Sequence, residues 1–93
     1  MPPLSPHEAQ TRLAALSGWK IEAGELVKTF TFKDFVASLR FVNGVGELAE
    51  KAGHHPDIDI RYNRVRLALI THDAGGLTQK DFDLAVQAQE RAD

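Results

Sequence analysis

The chain has 93 residues, 43% of them hydrophobic and 26% charged, which makes one small domain and excludes collagen-like, disordered and fibrous classes. Lysine and arginine total 11 against 13 acidic residues, for a net charge of −2, so a dedicated nucleic-acid binder is not expected. The absence of cysteine removes disulfides, thiolate catalysis and cysteine-ligated zinc, and is compatible with a reducing, cytoplasmic location.

The opening residues Met1 to Glu8 carry no basic cluster followed by an apolar run, so no signal peptide is expected. Apolar runs such as Leu67-Ala68-Leu69-Ile70 fall far short of the ~20 residues of a membrane helix. No repeat, low-complexity stretch or long linker interrupts residues 1–93, which read as a single domain.

Ser5-Pro6-His7-Glu8 reads as a helix start, with Ser5 as cap and Glu8 three residues on. Ala9, Leu13 and Leu16 mark one face, and Ser17-Gly18 closes the helix. Trp19 and Ile21 alternate with Lys20 and Glu22 as a short strand. Ala23-Gly24 is the turn into a second strand, with Leu26, Phe30 and Phe32 on one side and Val27, Thr29 and Thr31 on the other.

From Lys33 the period changes. Phe35, Leu39, Val42, Val45, Ala49 and Ala52 fall at helical spacings, and this long helix includes Gly44 and Gly46, which imply close packing or a bend. Gly53-His54-His55-Pro56 breaks it, because proline forces His55 into an extended conformation. Ile58, Ile60 and Tyr62 alternate with Asp57, Asp59 and Arg61; Asn63-Arg64 is read as the turn. Val65, Leu67, Leu69 and Thr71 then alternate with Arg66, Ala68, Ile70 and His72. After Asp73-Ala74-Gly75-Gly76, Thr78 to Asp81 has capping-box spacing, and Phe82, Ala85, Val86 and Gln89 mark a closing helix.

The order α-β-β-α-β-β-α predicts an α+β fold: a four-stranded antiparallel sheet with its helices packed on one face. Ala68 and Ile70 fall on the side away from the helices, where an apolar patch would serve a subunit contact. A homodimer or homotetramer is expected.

Three of the four histidines are informative. His54 and His55 lie in the break after the long helix, and His72 ends the last strand; the hairpin between them brings its ends together although His55 and His72 are 17 positions apart. Three readings of such a cluster stay open: hydrogen bonds within loops, an open zinc site, or acid–base chemistry near neutral pH. No nucleophile elbow and no phosphate loop accompanies it.

The run Glu50-Lys51-Ala52-Gly53-His54-His55-Pro56, continuing through Tyr62, Val65 and Leu69 to Thr71-His72-Asp73 and on to Gly76-Leu77-Thr78 and Asp81, resembles the signature of the pterin-4a-carbinolamine dehydratases. Leu16-x-Gly18-Trp19 and the run from Phe30 to Phe35 are similar to the family's N-terminal half. The resemblance implies dehydration of 4a-hydroxytetrahydrobiopterin to quinonoid dihydropterin, in tetrahydrobiopterin recycling after aromatic amino acid hydroxylation. It implies no metal and no organic cofactor.

It also implies site residues. His54 and His72 correspond to the acids, one for each epimer of the 4a carbon, and His55 to a residue that mainly holds substrate. Pro56 and the backbone of Thr71, His72, Asp73 and Ala74 line the pterin pocket, and Asp81 either orients a histidine or caps the helix. For Trp19, a core or interface role is favoured over stacking on pterin. Ile58 stands where some relatives have an aromatic residue. Some relatives also serve as a dimerisation cofactor for a homeobox transcription factor, and others handle pterin near molybdenum-cofactor enzymes. The alternative reading is therefore a non-catalytic pterin-binding or transcription-factor dimerisation module, without direct DNA contact and without membrane attachment.

Overall fold

A computed structural model describes residues 2–93, so Met1 of the expected 1–93 domain lies outside the described residues. The elements follow the expected order: α1 (Pro6–Leu13), β1 (Lys20–Glu22), β2 (Glu25–Thr31), α2 (Phe35–Ala52), β3 (Asp57–Arg61), β4 (Arg64–Leu69) and α3 (Gln79–Ala92). All strand pairs are antiparallel, and the sheet order is β1-β2-β4-β3. The fold is α+β. No helix of the described residues is long and apolar enough to cross a membrane.

Local chemistry explains most boundaries. Ser5 and Glu8 form the reciprocal capping box of α1, with Pro6 in its first turn. This helix stops at Leu13, earlier than the expected Ser17-Gly18, and turns carry the chain to Gly18 at φ 83°. Ala23 and Gly24 both have positive φ, which suits the twist of a two-residue hairpin. Asp34 caps α2 by accepting from the Ala37 N–H at 2.8 Å.

The register pairs Leu26 with Leu69 and Phe30 with Val65, so these side chains share one sheet face. There they pack with Leu67 of β4, Phe41 and Val45 of α2, and Phe82, Leu84, Ala85 and Ala88 of α3. Each large side chain so buried contributes about 1.5–3 kcal/mol. Trp19 is buried in the same core, edge-on to Phe30 at 5.7 Å, and its Nε1–H donates to Gln89.

Four expectations need correction. The buried face of α2 is Ser38, Phe41, Gly44, Val45 and Ala49, while Phe35 and Leu39 are 46% and 38% exposed and Ala52 faces solvent. The stripe is turned because α3 crosses at Gly44, where an added Cβ would stand 3.0 Å from the Arg91 guanidinium; Gly46 meets nothing. On α3, Val86 is exposed and Leu84 and Ala88 take the core positions. The second hairpin turns at Tyr62-Asn63, not Asn63-Arg64, because Arg64 pairs with Thr31 and Asn63 exchanges hydrogen bonds with Phe32. On the far sheet face Ala68 is buried and Ile70 half-buried, so the expected patch is small; Phe35, Val36 and Leu39 on α2 are the larger exposed apolar group.

Candidate active site

Two chain reversals bring the predicted residues together at one end of the sheet. At the first, Gly53 ends α2 with φ 62°, a left-handed conformation that glycine adopts without steric penalty. The His54 N–H then bonds back to the Ala49 carbonyl at 3.1 Å, which holds the imidazole close under the helix end. Pro56 sends the chain directly into β3.

The second reversal follows β4. The strand ends at Leu69, so His72 is not its last residue; instead His72–Ala74 form a short 3-10 turn. Gly75 closes that turn with φ 74°, and Thr71 and Gly76 pair across its base, the Thr71 N–H donating to the Gly76 carbonyl at 3.1 Å. The bridge carries Thr78 and the start of α3 back beside Thr71.

Asp81 sits at the centre of this junction, with its side chain fully buried. One oxygen, Oδ1, lies 2.6 Å from His54 Nε2. The other, Oδ2, accepts from the Thr71 hydroxyl at 2.9 Å and from the Thr78 N–H at 2.9 Å. The two readings of Asp81 therefore divide between its two oxygens: Oδ2 caps the helix and Oδ1 faces the histidine. The Thr71 and Thr78 hydroxyls are 2.8 Å apart. No buried side-chain nitrogen or oxygen among the described residues lacks a partner, as a buried carboxylate requires.

Above this junction is an open cleft of about 240 Å³, lined by Gly53, His54, His55, Ile70, Thr71, His72, Asp73 and Lys80. It is small for a ligand cavity, and fits a compact polar ring better than a long apolar ligand. The three imidazoles reach it in different ways. The His54 side chain is only 11% exposed and anchored on Asp81. His55 is exposed and pairs with Glu50 on the last turn of α2. His72 is exposed on the 3-10 turn.

Of the predicted residues, the structure thus gathers His54, His55, Thr71, His72 and Asp73 around one cleft, with Asp81 beneath His54. Pro56 and Ala74, both half-buried, do not line it, and neither does Ile58. Trp19 lies in the core. His7 is exposed on α1, remote in sequence from the cleft. Lys80 and Ile70 line the cleft although sequence reasoning did not place them there, and Thr78 joins the buried network beneath it. The capping-box spacing locates Thr78, but no sequence signal shows its hydroxyl meeting Thr71. Among the described residues, no group of three or more histidine, aspartate or glutamate side chains is arranged to hold a metal ion. Two wider depressions, of about 270 and 340 Å³, are lined by Phe32, Arg40 and Arg91 with neighbours, and by Arg61, Arg64 and Arg66 with neighbours; neither contains a histidine.

A small α+β domain with a histidine-lined cleft beside a buried aspartate has clear relatives. Residues 2–91 match the family model for pterin 4 alpha carbinolamine dehydratase. A relative from Acidobacterium capsulatum carrying the same family designation is 60% identical over 89 residues, covering 96% of this chain and 97% of its own. The crystal structure of a transcriptional coactivator/pterin dehydratase from Brucella melitensis superposes with a TM-score of 0.95 at 33% identity, covering 98% of this chain and 99% of that one. A pterin dehydratase-like protein identified as a RuBisCO assembly factor in the alpha-carboxysome shares the fold at TM-score 0.66 and 21% identity, over 80% and 86% of the two chains. The chain belongs to the pterin-4a-carbinolamine dehydratase family.

Proposed function

We propose that the protein is a hydro-lyase that dehydrates 4a-hydroxytetrahydrobiopterin to quinonoid dihydropterin and water, by histidine acid–base chemistry, in the recycling of tetrahydrobiopterin. The observation that carries this reading is the cleft shared by His54, His55 and His72, with His54 anchored on buried Asp81.

The reaction needs two proton movements. Hydroxide is a poor leaving group, so the 4a oxygen takes a proton as the C–O bond breaks and departs as water. The adjacent ring nitrogen gives up its proton, and its lone pair forms the new carbon–nitrogen double bond. Proton transfer by a positioned side chain typically contributes ~10²–10⁴-fold. His54 and His72 are the acids for the two faces of the ring, and His55 holds substrate. The chain from Thr71 to Asp73 frames the ring, and Asp81 orients His54. The roles need no metal or organic cofactor.

The protein works as a homodimer or homotetramer in the cytoplasm on this reading; the exposed Phe35, Val36 and Leu39 of α2 support self-association. The test is acceleration of dehydration of a freshly generated 4a-hydroxytetrahydropterin. Pterin binding without acceleration would favour the second reading, a non-catalytic pterin-binding or partner-binding module. That reading draws support from the double designation of the Brucella melitensis structure.

A further inference from the structure

We infer that the paired hydroxyls of Thr71 and Thr78 are a positioning device: they fix Asp81 so that His54 carries its proton on Nε2 and presents Nδ1 to the cleft. This rests on the proposed dehydratase reading for its catalytic consequence, but not for its structural content.

The direction of each hydrogen bond follows from counting protons. A threonine hydroxyl has one. Thr71 Oγ1 donates its proton to Asp81 Oδ2, so in the contact between the two hydroxyls Thr78 is the donor and Thr71 the acceptor. The chain therefore runs from Thr78 to Thr71 to Asp81. Oδ2 takes a further donor, the Thr78 N–H. With two donors on Oδ2, the carboxylate keeps Oδ1 for His54 alone.

An ionised carboxylate only accepts, so His54 Nε2 is the donor in the 2.6 Å contact. The proton exchanged with substrate then belongs to Nδ1. Among the described residues that atom has no hydrogen-bond partner, and because no buried side-chain nitrogen among them lacks one, Nδ1 is open to the cleft that His54 lines. The buried hydroxyl pair thus holds in place the carboxylate that selects which nitrogen of the ring does chemistry, as the partner of the other nitrogen does in histidine sites generally. His72, exposed on the 3-10 turn, is not held by this buried network.

The experiment is nitrogen-15 NMR of the full chain with labelled histidine, at a pH where the ring is neutral, on wild type, Thr71→Val, Thr78→Val, Thr71→Ser and Thr78→Ser. Wild type and both serine variants should show His54 as a single Nε2–H tautomer. The valine variants should populate both tautomers, and their kcat should fall about tenfold with KM unchanged. A wild-type His54 in the Nδ1–H form overturns the proposal, as do valine variants that keep the wild-type tautomer and kcat. If the valine variants do not fold, the wild-type tautomer decides alone. If the tautomer pattern holds but no form accelerates dehydration, the dehydratase reading falls and the positioning role stands.

Discussion

Asp81 Oδ1 lies 2.6 Å from His54 Nε2 across the junction of α2 and α3, and the pair ties a helix terminus to the wall of the cleft. On the proposed reading one buried carboxylate serves both stability and chemistry, and its removal should damage both.

Asp81→Ala leaves the Thr71 hydroxyl, the Thr78 N–H and His54 Nε2 without their acceptor. We expect a loss of about 3 kcal/mol in urea unfolding, because orphaned buried donors cost about 1–3 kcal/mol each and partial relaxation recovers some of it. Asp81→Asn keeps the shape but supplies an amide, whose NH2 group faces His54 when its oxygen faces the threonines. Its kcat should fall at least about tenfold, with a smaller stability loss than alanine causes. An asparagine variant with wild-type kcat would remove Asp81 from the mechanism.

The three histidines should separate kinetically. On the proposed reading His54→Ala and His72→Ala each remove an acid and should lower kcat by ~10²-fold or more. His55→Ala, exposed and paired only with Glu50, should mainly raise KM. Steady-state kinetics on each epimer of the substrate checks the division, since loss of one acid should affect one epimer more than the other.

Glu8 carries a pH-dependent part of the stability. Its carboxyl is held below the usual range, first by the hydrogen bond from the Ser5 N–H, then by the Ser5 side chain, with Arg12 and His7 helping. A carboxyl with a lower pKa folded than unfolded stabilises the fold above its unfolded value and loses that effect as pH falls through the folded value. The stability difference between wild type and Glu8→Gln should therefore be constant well above pH 4.5 and shrink below it. Urea unfolding across that range measures it, and a difference that grew in acid would contradict the assignment.

Gly46 is a helical glycine with open space where a Cβ would stand. Gly46→Ala should stabilise the protein by about 1 kcal/mol through helix propensity. Gly44→Ala should gain less, because its Cβ would press on the Arg91 side chain at 3.0 Å. Thermal unfolding of both variants gives the comparison.

The element order was legible because the period of the hydrophobic pattern changes sharply at Lys33 and again at Gly53. The histidine cluster was legible because a hairpin must bring its own ends together, and it gathers His54, His55 and His72 as expected. The buried stripe of α2 was legible only in part. Val45 and Ala49 are buried as expected, but Phe35 and Leu39 have the same core spacing and are exposed, and only the crossing of α3 at Gly44 decides that Phe41 points inward instead. The 3-10 turn at His72 was hidden for a similar reason: the alternation of β4 continues through Thr71 and His72 in sequence, but the bridge from Thr71 to Gly76 ends the strand. Asp81 was ambiguous because capping and orienting place the same demand on the sequence, and only the separate contacts of its two oxygens tell them apart.

The most direct test follows dehydration of freshly generated 4a-hydroxytetrahydropterin by ultraviolet absorbance, with chelator present, for wild type beside the His54→Ala/His72→Ala double variant. The account predicts that wild type accelerates the reaction and the folded double variant does not. A wild type that binds pterin but leaves the rate unchanged, or a double variant as fast as wild type, would contradict it.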